Sequence, residues 1–156
     1  MASRPDQTVY RIVSSQYPPF DGAGAIQWGS RWVSPGRYVI HAAETYSLAI
    51  LENLVHWQTN SLPQGLVCVK VEIPDTISQK TISLNEFPDG LDEAYNNTRV
   101  VGDQWYDSGE SCICWVPSVV SPHENNVLVN QRHTDFKHLV IHEPEVAEID
   151  RRLTPE

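Results

Sequence analysis

Apolar positions recur along this chain with two different periods. "TVYRIV", Thr8 to Val13, has the β-branched and aromatic content of a strand, and "RYVIHAA", Arg37 to Ala43, reads as a second one. Between them "SSQYPPFDGAGAIQWGS" carries the prolines and glycines of a long loop that delivers the chain to Arg31. The period then changes. Leu48, Leu51, Leu54 and Val55 repeat at helical spacing behind Thr45, a capping residue type, and predict a helix ending near Thr59. "GLVCVKVEI", Gly65 to Ile73, is a further strand closed by Pro74, and "SCICWVPS" and "HLVIHE" are two more.

Strands around a single strong helix, joined by irregular connections, predict an α+β domain rather than a doubly wound sheet. With no internal repeat and no separating linker, residues 1–156 read as a single compact domain.

Charge narrows the partners. Twenty acidic residues against eleven basic ones give a formal charge of −9, which opposes sequence-independent binding to nucleic acid or to anionic membranes. No apolar run approaches the roughly 20 residues needed to cross a bilayer, and "MASRPDQTVYR" lacks the apolar core of a secretion signal, so the expected compartment is the cytoplasm. Cys68, Cys112 and Cys114 sit inside apolar runs and read as reduced core residues. The apolar content permits a homodimer.

Against this background a few polar residues stand out. Glu52 has Leu48, Ala49 and Val55 as its helical neighbours, so its carboxylate is partly buried and needs a partner; Arg31 and Arg11 are the candidates. A structural ion pair explains the spacing as well as a catalytic role does. Arg31, in "WGSRWVSPG", suits a loop that presents a guanidinium fork to phosphate, or equally a surface arginine stacked on Trp32. Arg11, in mid-strand, calls for a defined anionic partner. His41 reads as a satisfied core histidine or as a catalytic group. Ser118 precedes a stretch dense in Asn, His and Glu, Asn126 among them, which lines a pocket or satisfies a loop.

Other chemistries are poorly supported. "GAG" at Gly22 to Gly24 lacks the Lys and Ser or Thr of a P-loop, no HExxH is present, Cys112 and Cys114 form a bare pair, and Ser118 lacks the glycines of a nucleophile elbow. No metal is expected.

Four blocks in order resemble the RES domain, named for its arginine, glutamate and serine: "VYRIV", "GSRWVSPGRYVIHAAETYSLAILENLVH", "VGDQWYDSGESCICWVPSVVSPHENNVLVNQRH" and "IDRRL". The resemblance implies an ADP-ribosyltransferase-like fold with a mixed β-sheet core and few helices, and a toxin of a toxin–antitoxin pair whose substrate is NAD+. It implies cleavage of the nicotinamide–ribose bond by water or phosphate, with transfer of ADP-ribose to a protein as the second reading and a non-catalytic binding module as the third. A cognate antitoxin of the Xre family is the implied partner. The family's arginines fall on Arg11 and Arg31, its glutamate on Glu52 and its serine on Ser118. The resemblance assigns catalysis to Glu52, Arg31, Ser118 and His41, and NAD+ binding to Arg11, Arg31, Trp32, His41, Ser118 and Asn126. The chain departs from the family pattern at His41, where a tyrosine is usual, and in "NVLVNQRH", where "NYLxNPxH" is usual, with Val127 and Gln131. His41 is expected to keep the ring-packing role of the tyrosine, and a histidine, unlike tyrosine, can titrate near neutral pH.

Overall fold

Alternation along the first strand decides what each face of the sheet carries. In the computed structural model, which describes residues 7–56 and 65–153, β1 is Gln7–Ser14 and pairs along its whole length with β3 (Leu66–Ile73). β2 (Val39–Ala43) pairs along its whole length with β6 (Asn125–Asn130), which pairs in turn with β5 (Ile113–Pro117). The two halves meet at β1 and β2 through one register pair, Tyr10 with Ala43. β4 (Gln79–Thr81) runs parallel to β5 at one edge, and the two-residue strands β7 (Val140–Ile141) and β8 (Glu145–Val146) lie against β3 at the other. The sheet is therefore mixed, as expected.

One face buries Val9, Val69, Ile40, Ala42, Val127 and Val129, with Phe20 and Phe136 packed against them. The opposite face carries two helices. Under α2 (Tyr46–His56) lie Ile12, Ala43 and Leu66 with the helix's own Leu48 and Ala49. Under α3 (Asn96–Ser108) lie Val39, Cys114, Val116 and Leu128 with Trp32, Phe87 and Trp105. Trp105 is fully buried, and its indole N–H donates to Ser111 Oγ at 2.9 Å, so its polar edge carries no desolvation cost. Within β2, Val39 belongs to the α3 cluster and Ala43 to the α2 cluster. His41 lies between them on the same face, at the seam.

Several elements differ from the pattern-based expectation. The predicted loop before Arg31 contains a short helix, α1 (Ala23–Trp28). The largest difference is α3, since the chain has a second long helix where none was expected. Its buried positions are Thr98, Gly102 and Trp105, so helical spacing is present but only one of the three is a large apolar residue. β6 falls within the polar stretch that lines a pocket or satisfies a loop, where flanking asparagines mask the strand "VLV". Of "HLVIHE" only Val140–Ile141 pairs. The strand predicted over Arg37 to Ala43 starts at Val39. α2 is described to His56, and the predicted end near Thr59 lies outside the described residues.

α3 grips the segment between α1 and β2 from end to end. Thr98 Oγ1 donates to the Arg31 carbonyl at 2.5 Å, and Arg99 Nε donates to the Ser30 carbonyl at 2.8 Å. Asp103 accepts from Ser34 N and Ser34 Oγ at 2.8 and 2.7 Å, and Arg37 pairs with Asp107 at 2.7 Å. At the centre the backbones touch: a Cβ on Gly102 would lie 1.7 Å from the Trp32 carbonyl oxygen. Gly102→Ala must therefore push the helix off the Arg31 loop. We expect a loss of about 3 kcal/mol or more in urea unfolding, or failure to fold, whereas Gly24→Ala in α1, where an added Cβ meets nothing within 4 Å, stays close to wild type.

Candidate active site

Thr45 starts α2 as the sequence predicts: its hydroxyl accepts from Leu48 N at 3.0 Å. The inward face of the helix is rotated relative to the leucine stripe. Leu48 and Ala49 are buried, while Leu51 and Val55 are 39% and 51% exposed. The buried line continues to Glu52, whose carboxylate points at the ends of β5 and β6.

There the partners of Glu52 differ from those expected. Neither Arg11 nor Arg31 pairs with it; Ser118 Oγ and Asn126 Nδ2 each donate to Oε1 at 2.8 Å. Both bonds fall on one oxygen. Among the described residues Oε2 makes no hydrogen bond to protein, so a buried cost is offset on one side of the carboxylate while the other is left for a ligand.

The Ser118 hydroxyl is fully committed. Its proton goes to Glu52, and its oxygen accepts from Ser121 N at 3.0 Å. Behind it Glu124 accepts from Ser121 Oγ at 3.0 Å and from Thr45 Oγ1 at 2.8 Å. One carboxylate thus ties the cap of α2 to the turn that carries Ser118. Sequence reasoning noticed the polar density here without singling out Ser121 or Glu124; the signal was a run of short hydrogen-bonding side chains that turn formation explains equally well.

Arg31 and Trp32 point to different places. Trp32 is buried, edge to face with Phe87 at 5.8 Å between ring centres, so the expectation that it touches NAD+ gives way to a supporting role in the core. The Arg31 guanidinium lies 4.7 Å from the centre of the Tyr95 ring, not on Trp32.

His41 Nε2 is 2.8 Å from Ser30 Oγ. That oxygen already faces the N–H groups of Trp32 and Val33 at 3.3 and 3.4 Å. We assign its proton to His41, which leaves the imidazole neutral with its own proton on Nδ1. Burial, and secondarily the Arg11 charge, push the His41 pKa down to about 4. Burial therefore moves His41 out of the neutral range in which a histidine can ordinarily titrate.

Arg11 shares its face of β1 with Val9 and with its cross-strand partner Val69, opposite to the α2 side. Its guanidinium fills the place where β2 leaves β1: Nη1 donates to the His41 carbonyl at 2.7 Å and Nε to the Pro19 carbonyl at 3.2 Å. Burial lowers its pKa to about 10, with Asp21 opposing the shift, so it stays cationic at neutral pH. The anionic partner expected for a strand-centre arginine is replaced by carbonyl oxygens.

The two departures in "NVLVNQRH" have structural accounts. Val127 is fully buried in the sheet core, and Gln131 Oε1 accepts from Gly22 N at 2.8 Å, anchoring the start of α1. Neither touches Glu52. Cys112 and Cys114 are buried, with their thiols pushed up to about 12 by burial, while Cys68 is half-buried; all three are free.

A depressed histidine pKa has a defined sign. Between the ordinary 6.5 and about 4 the unfolded chain binds a proton that folded His41 refuses, so this group makes stability fall as pH falls through that window. NMR titration is expected to show the His41 ring neutral from pH 8 down to 5. A midpoint near 6.5 would contradict the assignment.

The geometry can be set beside known proteins. A family model described as the RES domain matches residues 8–153. The chain is 36% identical over 120 residues to the "Prs ADP-ribosylating toxin" of Sphingobium sp. strain YBL2, which covers 74% of each chain. It is 35% identical over 133 residues to "Toxin Res" of Yersinia enterocolitica, covering 83% of this chain and 87% of that one. In fold it is similar to a chain in the crystal structure of the MbcT–MbcA toxin–antitoxin complex of M. tuberculosis, with a TM-score of 0.72 and 15% identity over 91% of this chain and 84% of that one. The chain belongs to the RES domain family.

Proposed function

We propose that this chain is a toxin that degrades NAD+ by cleaving the bond between nicotinamide and ribose. The observation that carries the reading is the half-satisfied carboxylate of Glu52: Oε1 is fixed by Ser118 and Asn126, and Oε2 is left without a protein donor among the described residues.

In the cleavage the bonding electron pair leaves with the nicotinamide nitrogen, which becomes neutral, and positive charge develops on the ribose. A carboxylate already oriented by two hydrogen bonds stabilises that charge without reorganising, either directly or by holding a ribose hydroxyl. Ser118 and Asn126 act through Glu52 as positioning residues. The neutral His41 ring at the seam packs against the departing nicotinamide, and its missing charge suits a leaving group that carries positive charge before cleavage. Arg31 binds the diphosphate and orients the scissile bond from a distance, while Arg11, on the other face of the sheet, acts by holding the His41 carbonyl.

Water or phosphate then takes the ribose. A second reading, transfer of ADP-ribose to a protein, is favoured by the printed name of the Sphingobium relative and uses the same pocket with a different acceptor. A cognate antitoxin of the Xre family, which the family resemblance implies, is the partner in this reading, and the chain of similar fold was solved in a toxin–antitoxin complex.

Glu52→Gln keeps the shape and both neighbours. Its turnover of NAD+ is expected to fall by a factor on the order of a thousand with NAD+ affinity nearly unchanged. Mass spectrometry of products formed with and without phosphate separates free or phosphorylated ADP-ribose from modified protein. A purified Glu52→Gln protein as fast as wild type would refute the role.

A further inference from the structure

In a chain with a formal charge of −9, two arginines beside the seam have no carboxylate partner among the described residues. Arg37, Lys80 and Arg152 each form an ion pair, but among the described residues Arg31 and Arg99 form none. Both instead lie over one aromatic ring, with guanidinium carbons 4.7 and 5.5 Å from the centre of Tyr95. The nearby acid Asp92 is turned to its own backbone, accepting from Ala94 N at 2.9 Å. Asp103, one turn on from Arg99, is held by Ser34.

A ring face holds a cation differently from a carboxylate. It attracts the guanidinium through its quadrupole and takes none of its N–H donors, so the planar edge stays available to a second ligand. Arg99 gives Nε to the Ser30 carbonyl at 2.8 Å, and both of its Nη groups remain. Two like charges gathered on one side chain repel each other unless an anion joins them.

Tyr95 is built into this position against its backbone preference. It has φ 66°, and among the described residues it is the non-glycine with positive φ. A bulky residue there is strained, and glycine or asparagine would relieve it. Thr98 Oγ1 also faces the carbonyls of both Tyr95, at 3.2 Å, and Arg31, so ring and arginine are registered through one hydroxyl. A tyrosine in this conformation, tied to an arginine whose guanidinium forms no ion pair among the described residues, is held for its ring.

We infer that Arg31 and Arg99, spread over the Tyr95 ring, form a seat for the diphosphate group of a dinucleotide, with Tyr95 as the positioning residue. The inference rests on the proposed reading of the substrate as NAD+. It extends that reading to Arg99 and Tyr95 and gives Arg31 a partner in anion binding.

The probe is inorganic pyrophosphate, titrated calorimetrically into the full chain without divalent metal, alongside steady-state kinetics with NAD+. Arg99→Gln keeps a side-chain N–H for the Ser30 carbonyl but removes the charge. Tyr95→Asn suits the left-handed backbone but removes the ring, and Tyr95→Phe keeps the ring. We expect Arg99→Gln and Tyr95→Asn to weaken pyrophosphate about tenfold and to raise KM for NAD+ with kcat little changed, at wild-type thermal stability, while Tyr95→Phe binds normally. Wild-type affinity in folded Arg99→Gln, or no pyrophosphate binding by the wild-type chain at millimolar concentration, would overturn the seat. Pyrophosphate binding that depends on Arg99 in a protein that never turns over NAD+ would sustain the seat and reject the proposed reaction instead.

Discussion

The candidate site exists because β1 and β2 touch at a single register pair, Tyr10 with Ala43. A continuous ladder there would have consumed the His41 carbonyl in the sheet. Once the strands part, that carbonyl needs another donor, since a buried backbone oxygen without one is costly, and Arg11 supplies it. An arginine that would be anomalous in a regular sheet is thus required by an irregular one. The same parting divides the helix-bearing face into the territories of α2 and α3, with His41 between them.

Each half then contributes differently. α2 presents a carboxylate whose direction is set from the opposite half of the sheet, by Ser118 and Asn126. α3 presents little chemistry of its own apart from Arg99 and Tyr95. It works as a splint, binding the segment from Ser30 to Arg37 through hydroxyl, guanidinium and carboxylate groups and through the bare backbone at Gly102. The two tryptophans beside this segment divide the labour similarly: Trp32 anchors it in the core, and Trp28 is 74% exposed.

Much of the fold was legible because β-branched runs and one leucine-rich helix carry their periods openly. α3 was not, since its buried face is Thr98, Gly102 and Trp105 and its first position follows a left-handed tyrosine with no side-chain cap. Glu52 was legible as a buried carboxylate, and its arginine partners were misjudged because charge complementarity is the cheapest guess from a sequence. Hydrogen-bond partners 66 and 74 positions away leave no local trace. The state of His41 was not legible for a related reason: its ordinary pKa is a property of the residue, and its actual one a property of the burial around it.

The splint also has a temporal side. Thr98 holds a carbonyl 67 positions earlier, and Asn126 holds a carboxylate 74 positions earlier. Contacts of such separation form late in folding, after the loops between them have closed. During synthesis the chain emerges from its N-terminal end, so Arg31 and Glu52 leave the ribosome well before anything that fixes their geometry. A translation product that stops before Ser118 carries the arginines and the glutamate without the side chains that fix the carboxylate.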